Sequence, residues 1–140
     1  MPTNVVLYIR PACALSDLSK VALTDRGIKF TLRSATDYAA ALSAKGFSSA
    51  PVLTVTVENE LIAWEGHRPE LIEMLADLMD TGPVGAHGLR DRDAAEDAVL
   101  TRFQIMQEIR GHQLSAEGFF ADHGNHPLYR GRDLLNWLGY

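Results

Sequence analysis

A strand pattern, a helix long enough to be a crossover and a second strand pattern fill the first 32 residues. This order constrains the fold more than any other feature of the chain. Asn4 to Ile9 is a short β-branched and aromatic run, the signature of a buried strand. From Cys13 to Arg26 the apolar residues Leu15, Leu18 and Ala22 recur at helical spacing, with Val21 and Leu23 broadening the stripe. Gly27 then stands where a helix-ending glycine is expected. Ile28 to Leu32 alternates apolar and polar residues as a second strand does. A helix linking two such strands makes them parallel neighbours, so an α/β sheet is expected.

The pattern continues with an alanine-rich helix from Asp37 to Lys45, ended by Gly46. Pro51 to Val57 and Glu60 to Glu65 read as two strands of a hairpin turning at Glu58 and Asn59. Pro69 falls in the first turn of another helix, where its missing N–H costs nothing, and Leu71, Ile72, Leu75, Leu78 and Met79 form its apolar face. The order β-α-β-α-β-β-α closes a first domain at about residue 80. A glycine-rich linker is expected over 81–88 and a helical C-terminal appendage over 89–140. Within the appendage one helix is expected from Asp93 to Arg110, with Ala95, Val99, Phe103, Met106 and Ile109 inward and Gly111 ending it. Ser115 caps a short helix through Phe120, and Asp133 to Leu138 forms another turn or two. Phe119, Phe120, Tyr129, Trp137 and Tyr140 are too much aromatic surface for water. They are expected to pack on the first domain, on each other or on a protein partner.

The 140 residues carry a formal charge of −5, which argues against non-specific nucleic-acid binding. A helix-turn-helix reader of DNA is likewise disfavoured, because six arginines face eight carboxylates over residues 84–140. No apolar run approaches the ~20 residues that span a bilayer, and no signal peptide is read at the start of the chain, so no membrane partner is expected. One cysteine staples nothing internally, which makes a reducing cytoplasm the expected compartment, alone or within a larger assembly. His123 and His126 have zinc-like spacing, but no second pair completes four ligands, so no metal is expected.

That single cysteine, Cys13, follows a strand and Arg10-Pro11-Ala12 and opens a helix. Unpaired N–H groups and the positive end of the helix dipole favour a thiolate there. Ser16 occupies the place, three residues on, where a dithiol motif has its second cysteine. Two further stretches converge on Cys13 if the sheet forms as expected: Ser49-Ala50-Pro51 at the start of a strand, and Trp64-Glu65-Gly66-His67-Arg68-Pro69 between hairpin and helix. Trp64 is read as core.

These strings resemble the glutaredoxin family, most closely its NrdH-redoxin branch, over residues 1 to about 80. In that branch the last stretch reads Trp-Ser-Gly-Phe-Arg-Pro-Asp/Glu; here it is Trp64-Glu65-Gly66-His67-Arg68-Pro69-Glu70. Gly46-Phe47 followed by Ala50-Pro51-Val52 matches the run into the family's cis-proline strand, and Arg10 takes the place of its basic residue. The resemblance implies a thioredoxin-like fold and thiol–disulfide exchange. It implies as partners a thiol reductant and a disulfide-bearing protein, with ribonucleotide reductase and thioredoxin reductase as the family's examples. It makes Cys13 the nucleophile, with Ser16 able to hydrogen-bond the thiolate and Arg10 favouring it. Ala50 and Pro51 shape a substrate groove, and Gly66, His67, Arg68 and Pro69 form its rim.

With Cys-x-x-Ser in place of Cys-x-x-Cys, one thiol forms a mixed disulfide and an external thiol such as glutathione must release it. The family's glutathione-binding Gly-Gly and acidic pair are absent, so no cofactor is firmly implied. A shared iron–sulfur cluster held by Cys13 and glutathione ranks lower, since Cys-Gly-Phe-Ser is missing. The alternative is a redox-inactive binding or structural module docked in a larger assembly through its aromatic appendage.

Overall fold

The computed structural model describes residues 3–57, 59–81 and 92–139. The chain divides into two compact units, Met1–Met79 and Asp80–Tyr140.

Unit 1 is built on a four-stranded sheet. In chain order it contains β1 (Thr3–Ile9), α1 (Ala14–Asp25), β2 (Thr31–Ser34), α2 (Ala39–Ala44), β3 (Val52–Val57), β4 (Glu60–Glu65) and α3 (Pro69–Thr81). The strand order is β2-β1-β3-β4. β1 and β2 run parallel, from Val6 opposite Thr31 to Ile9 opposite Ser34. β3 lies antiparallel to β1 and to β4, with Val52 opposite Glu65 and Val57 opposite Glu60. This is the thioredoxin-like arrangement expected from the sequence. β3, central in the sheet, is almost entirely buried, and Leu71, Ile72, Leu75 and Leu78 of α3 are buried with it.

Two local expectations shift. β2 starts three residues later than its alternating pattern suggests, because Ile28 belongs to the end of α1. Gly27 adopts φ +71°, its N–H donates to the Thr24 carbonyl, and the Ile28 N–H reaches back to the Leu23 carbonyl. That is a Schellman ending, and both Ile28 and Leu23 are buried. The second shift is on α1 itself. Leu15, Leu18 and Val21 are 48%, 51% and 56% exposed, whereas Ser16 and Ser19 are 1% and 2% exposed and Leu23 is buried. The helix turns its serines inward, and partners on other elements satisfy them.

Unit 2 contains α4 (Arg92–Asp97), β5 (Val99–Thr101), α5 (Arg102–Gly111), α6 (Ala116–His123), β6 (Leu128–Arg130) and α7 (Gly131–Leu138). The helix expected over Asp93 to Arg110 is therefore broken by a strand, and the appendage is not purely helical: β5 pairs antiparallel with β6. Thr101 explains the break. Its hydroxyl accepts from the Gln104 N–H while the Gln104 side chain accepts from the Thr101 N–H, a complete capping box that restarts the helix. With the helical phase reset, Ile105 and Ile109 point inward and Phe103 is 53% exposed, contrary to the expected inward Phe103. Gly111 is the last residue of α5, and the chain turns only beyond it. Ser115 caps α6 as expected, accepting from the Glu117 N–H, but the helix continues to His123.

Phe119, Tyr129, Leu100, Ile105, Ile109 and Leu134 form the core of unit 2, with Phe120 and Trp137 packed against it. Phe119 meets Tyr129, Phe120 and Trp137 edge-on, and His123 stacks on it at 4.5 Å. The aromatic surface thus packs on itself; Tyr140 lies outside the described residues. α7 approaches α4 so closely that a Cβ on Gly131 would sit 1.7 Å from the Ala95 carbonyl oxygen, and only glycine fits. The linker expected at 81–88 falls outside the described residues apart from Thr81, the last residue of α3.

Candidate active site

The turn between β1 and α1 places Cys13 at the N-cap of α1, in extended conformation with φ −103°. Ala12, just before it, has φ +53°, a left-handed conformation that is unfavourable for a residue with a Cβ. Cys13 is partly exposed and free. Its side chain makes no capping hydrogen bond, so the first-turn amides of α1 remain available to a negative charge on sulfur. The Ser16 hydroxyl, then the Ser16 amide and less strongly the Leu15 amide, hold the thiol below its ordinary range; slight burial and the Asp17 carboxylate oppose them.

Ser16 has a dual position. Its oxygen accepts the Arg10 backbone N–H at 3.4 Å, which compensates for its burial and leaves its proton for the sulfur. Arg10 thus enters differently from expectation. Its guanidinium extends to the Ser48 carbonyl at 3.5 Å, and the lowering of the Cys13 thiol comes from Ser16 and Leu15.

Opposite Cys13 runs the segment that leads into β3. The Ala50–Pro51 bond is cis, and both residues are buried. The Cys13 thiol donates to the Ala50 carbonyl at 4.0 Å. Ala50 packs with Ala35, Leu42 and Val52, and Tyr8 and Phe47 lie against that cluster.

The third stretch joins the site through hydrogen bonds. The Gly66 N–H donates to the Pro51 carbonyl at 2.7 Å. The His67 ring Nδ1 is 2.8 Å from the hydroxyl of buried Ser19, one turn along α1 from Ser16. Arg68 pairs with Glu70, its carbonyl receives the Leu71 and Ile72 amides, and Pro69 opens α3; these contacts begin the helix and do not reach Cys13. Trp64 is 4% exposed and belongs to the core.

Two participants had no local sequence signal. Ser19 is a small polar residue within a helical apolar pattern, with nothing in the local sequence to mark it as buried. Glu65 sends one carboxylate oxygen to the Ser48 N–H at 2.6 Å and the Ser49 N–H at 2.9 Å, which holds its carboxyl below the usual range, Ser49 contributing most. The contacts span 16 and 17 residues of sequence, beyond the reach of any local pattern. Among the described residues no cluster of three or more His, Cys, Asp or Glu is arranged to hold a metal ion, and no helix is long and apolar enough to cross a membrane.

No protein-family model matches the chain, and no curated protein matches it. Among solved structures, that of the Escherichia coli glutaredoxin-like protein NrdH-redoxin, described for its thioredoxin-like activity profile, is similar at 26% sequence identity and a TM-score of 0.44. The match covers 59% of this chain and 100% of that one.

Proposed function

We propose that this chain is a one-thiol disulfide-exchange protein, with residues 1 to about 80 carrying the chemistry and Cys13 as nucleophile. The observation that carries the reading is the setting of Cys13: a partly exposed thiol at the start of α1, lowered by Ser16 and Leu15, facing the Ala50 carbonyl. The thiolate attacks one sulfur of a disulfide. The Cys13 sulfur–sulfur bond forms, the substrate bond breaks, and the second substrate sulfur leaves as a thiolate.

Ser16 supports the first step and has no acidity for a second. An external thiol, with glutathione as the simplest, then attacks the substrate's sulfur in the mixed disulfide. Cys13 leaves as a thiolate, and the new disulfide carries the oxidation away. In this reading the peptide group ahead of Pro51 pairs with an extended disulfide-bearing segment, with Gly66 and His67 at its rim. A disulfide-bearing protein and a thiol reductant are the partners this reading requires, and a reducing compartment suits it.

Reduced protein treated with oxidised glutathione is expected to gain one glutathione by intact mass, to lose it on addition of reduced glutathione, and to gain none as Cys13→Ser. A wild-type protein that takes no adduct while Cys13 still reacts with a small alkylating reagent would overturn the reading. One observation favours the alternative, a binding module without turnover: α1 presents Leu15, Leu18 and Val21 to solvent beside the site. In that case the same incubation yields no adduct.

A further inference from the structure

We propose that Glu65 is a positioning residue for the disulfide substrate, fixing the Ser48–Ser49 backbone so that Ala50 presents its peptide group beside Cys13. The inference rests on the exchange reading and names what recognises the substrate there.

Glu65 ends β4, directly across from Val52. From that place the chain grips Ala50–Pro51 on both sides. Ahead of it, the carboxylate takes the two consecutive amides of Ser48 and Ser49; behind it, the next residue, Gly66, donates to the Pro51 carbonyl at 2.7 Å. The Arg10 guanidinium holds the Ser48 carbonyl as well. Ser48 and Ser49 are exposed, so without the carboxylate their amides turn to water and the segment loses its fixed course. Charge-assisted bonds to adjacent backbone amides are among the stronger restraints a surface segment can have.

Glu65 does not act on the sulfur. The groups that lower Cys13 are Ser16 and Leu15, and the carboxylate opposing them belongs to Asp17. The thiol's intrinsic reactivity and the recognition of an extended substrate are therefore separable. Small disulfides need only the former, and peptide disulfides need both.

The test compares wild type, Glu65→Gln and Glu65→Ala in the rate of mixed-disulfide formation against concentration. The probes are hydroxyethyl disulfide and a disulfide-linked pair of extended hexapeptides, with iodoacetamide alkylation of Cys13 alongside. The half-saturating peptide concentration is expected to rise about tenfold in Glu65→Ala. It rises less in Glu65→Gln, which keeps a neutral acceptor. The limiting rate, the hydroxyethyl disulfide rate and the alkylation rate stay at wild-type values. An unchanged peptide half-saturation in Glu65→Ala overturns the proposal, as does a parallel fall of all three rates, which marks a merely structural role. If wild type alkylates but takes neither disulfide, the exchange reading itself fails, a result distinct from the other two.

Discussion

α1 and α5 both begin after an extended residue, Cys13 at φ −103° and Thr101 at φ −75°, but the two cap side chains do different things. Thr101 spends its hydroxyl on the Gln104 amide, and Gln104 returns the bond, so that helix end is closed on itself. Cys13 caps nothing. The amides at the start of α1 are left facing a sulfur, with a buried serine aimed at the same atom. One helix start is built for stability, while the other gives up capping energy and keeps its donors for a charge that appears when the thiol ionises. The left-handed Ala12 beside Cys13 is a further local cost with no counterpart beside Thr101.

The largest effect expected from this contrast is at the closed cap. Thr101→Ala should lower stability by about 1–2 kcal/mol in urea melts and leave Cys13 alkylation unchanged. Ser16→Ala should move both properties. Removing the acceptor of the Arg10 amide costs about 1 kcal/mol, and the alkylation–pH curve shifts toward higher pH because the first support of the thiolate is gone. Cys13→Ser closes the open cap; exchange is abolished and stability rises by about 0.5 kcal/mol. The smallest effect is from Ala12→Gly, which relieves the left-handed residue and stabilises by about 0.5 kcal/mol. A stability loss in Cys13→Ser, or an unmoved titration in Ser16→Ala, would break the comparison between the two helix starts.

The same contrast explains what the sequence made legible. In unit 1 the order of the elements, the parallel β1–β2 pair and the hairpin follow from local periodicity and connection length, and the Ala50–Pro51 segment lies beside Cys13 and bonds Gly66. The inward face of α1 does not follow from periodicity. An amphipathic reading gives serines to water, whereas Ser16 and Ser19 are buried because the Arg10 amide and the His67 ring bond them across the fold. The start of α5 is readable in principle, since Thr101-x-x-Gln104 is a capping-box pattern. The continued spacing of Ala95 and Val99 hid it by mimicking one long helix. Glu65 was not readable from any local pattern, because its partners lie on another element.

Glu65 also gives the account an acid-side signature. Its carboxyl is held below the usual range, so its contribution is fully present above the unfolded value of about 4.3 and is lost as pH falls through the lower folded value. The stability difference between wild type and Glu65→Gln should therefore shrink on acidification below about pH 4 in urea melts, and stay constant from there to neutrality.

Whether α1 keeps its N-terminal donors for a Cys13 thiolate is read from the rate of iodoacetamide alkylation of Cys13 across pH. A half-rise below the ~8.5 of an unperturbed thiol is expected. A half-rise at or above that value, or a thiol protected from the reagent in the native protein, would contradict it.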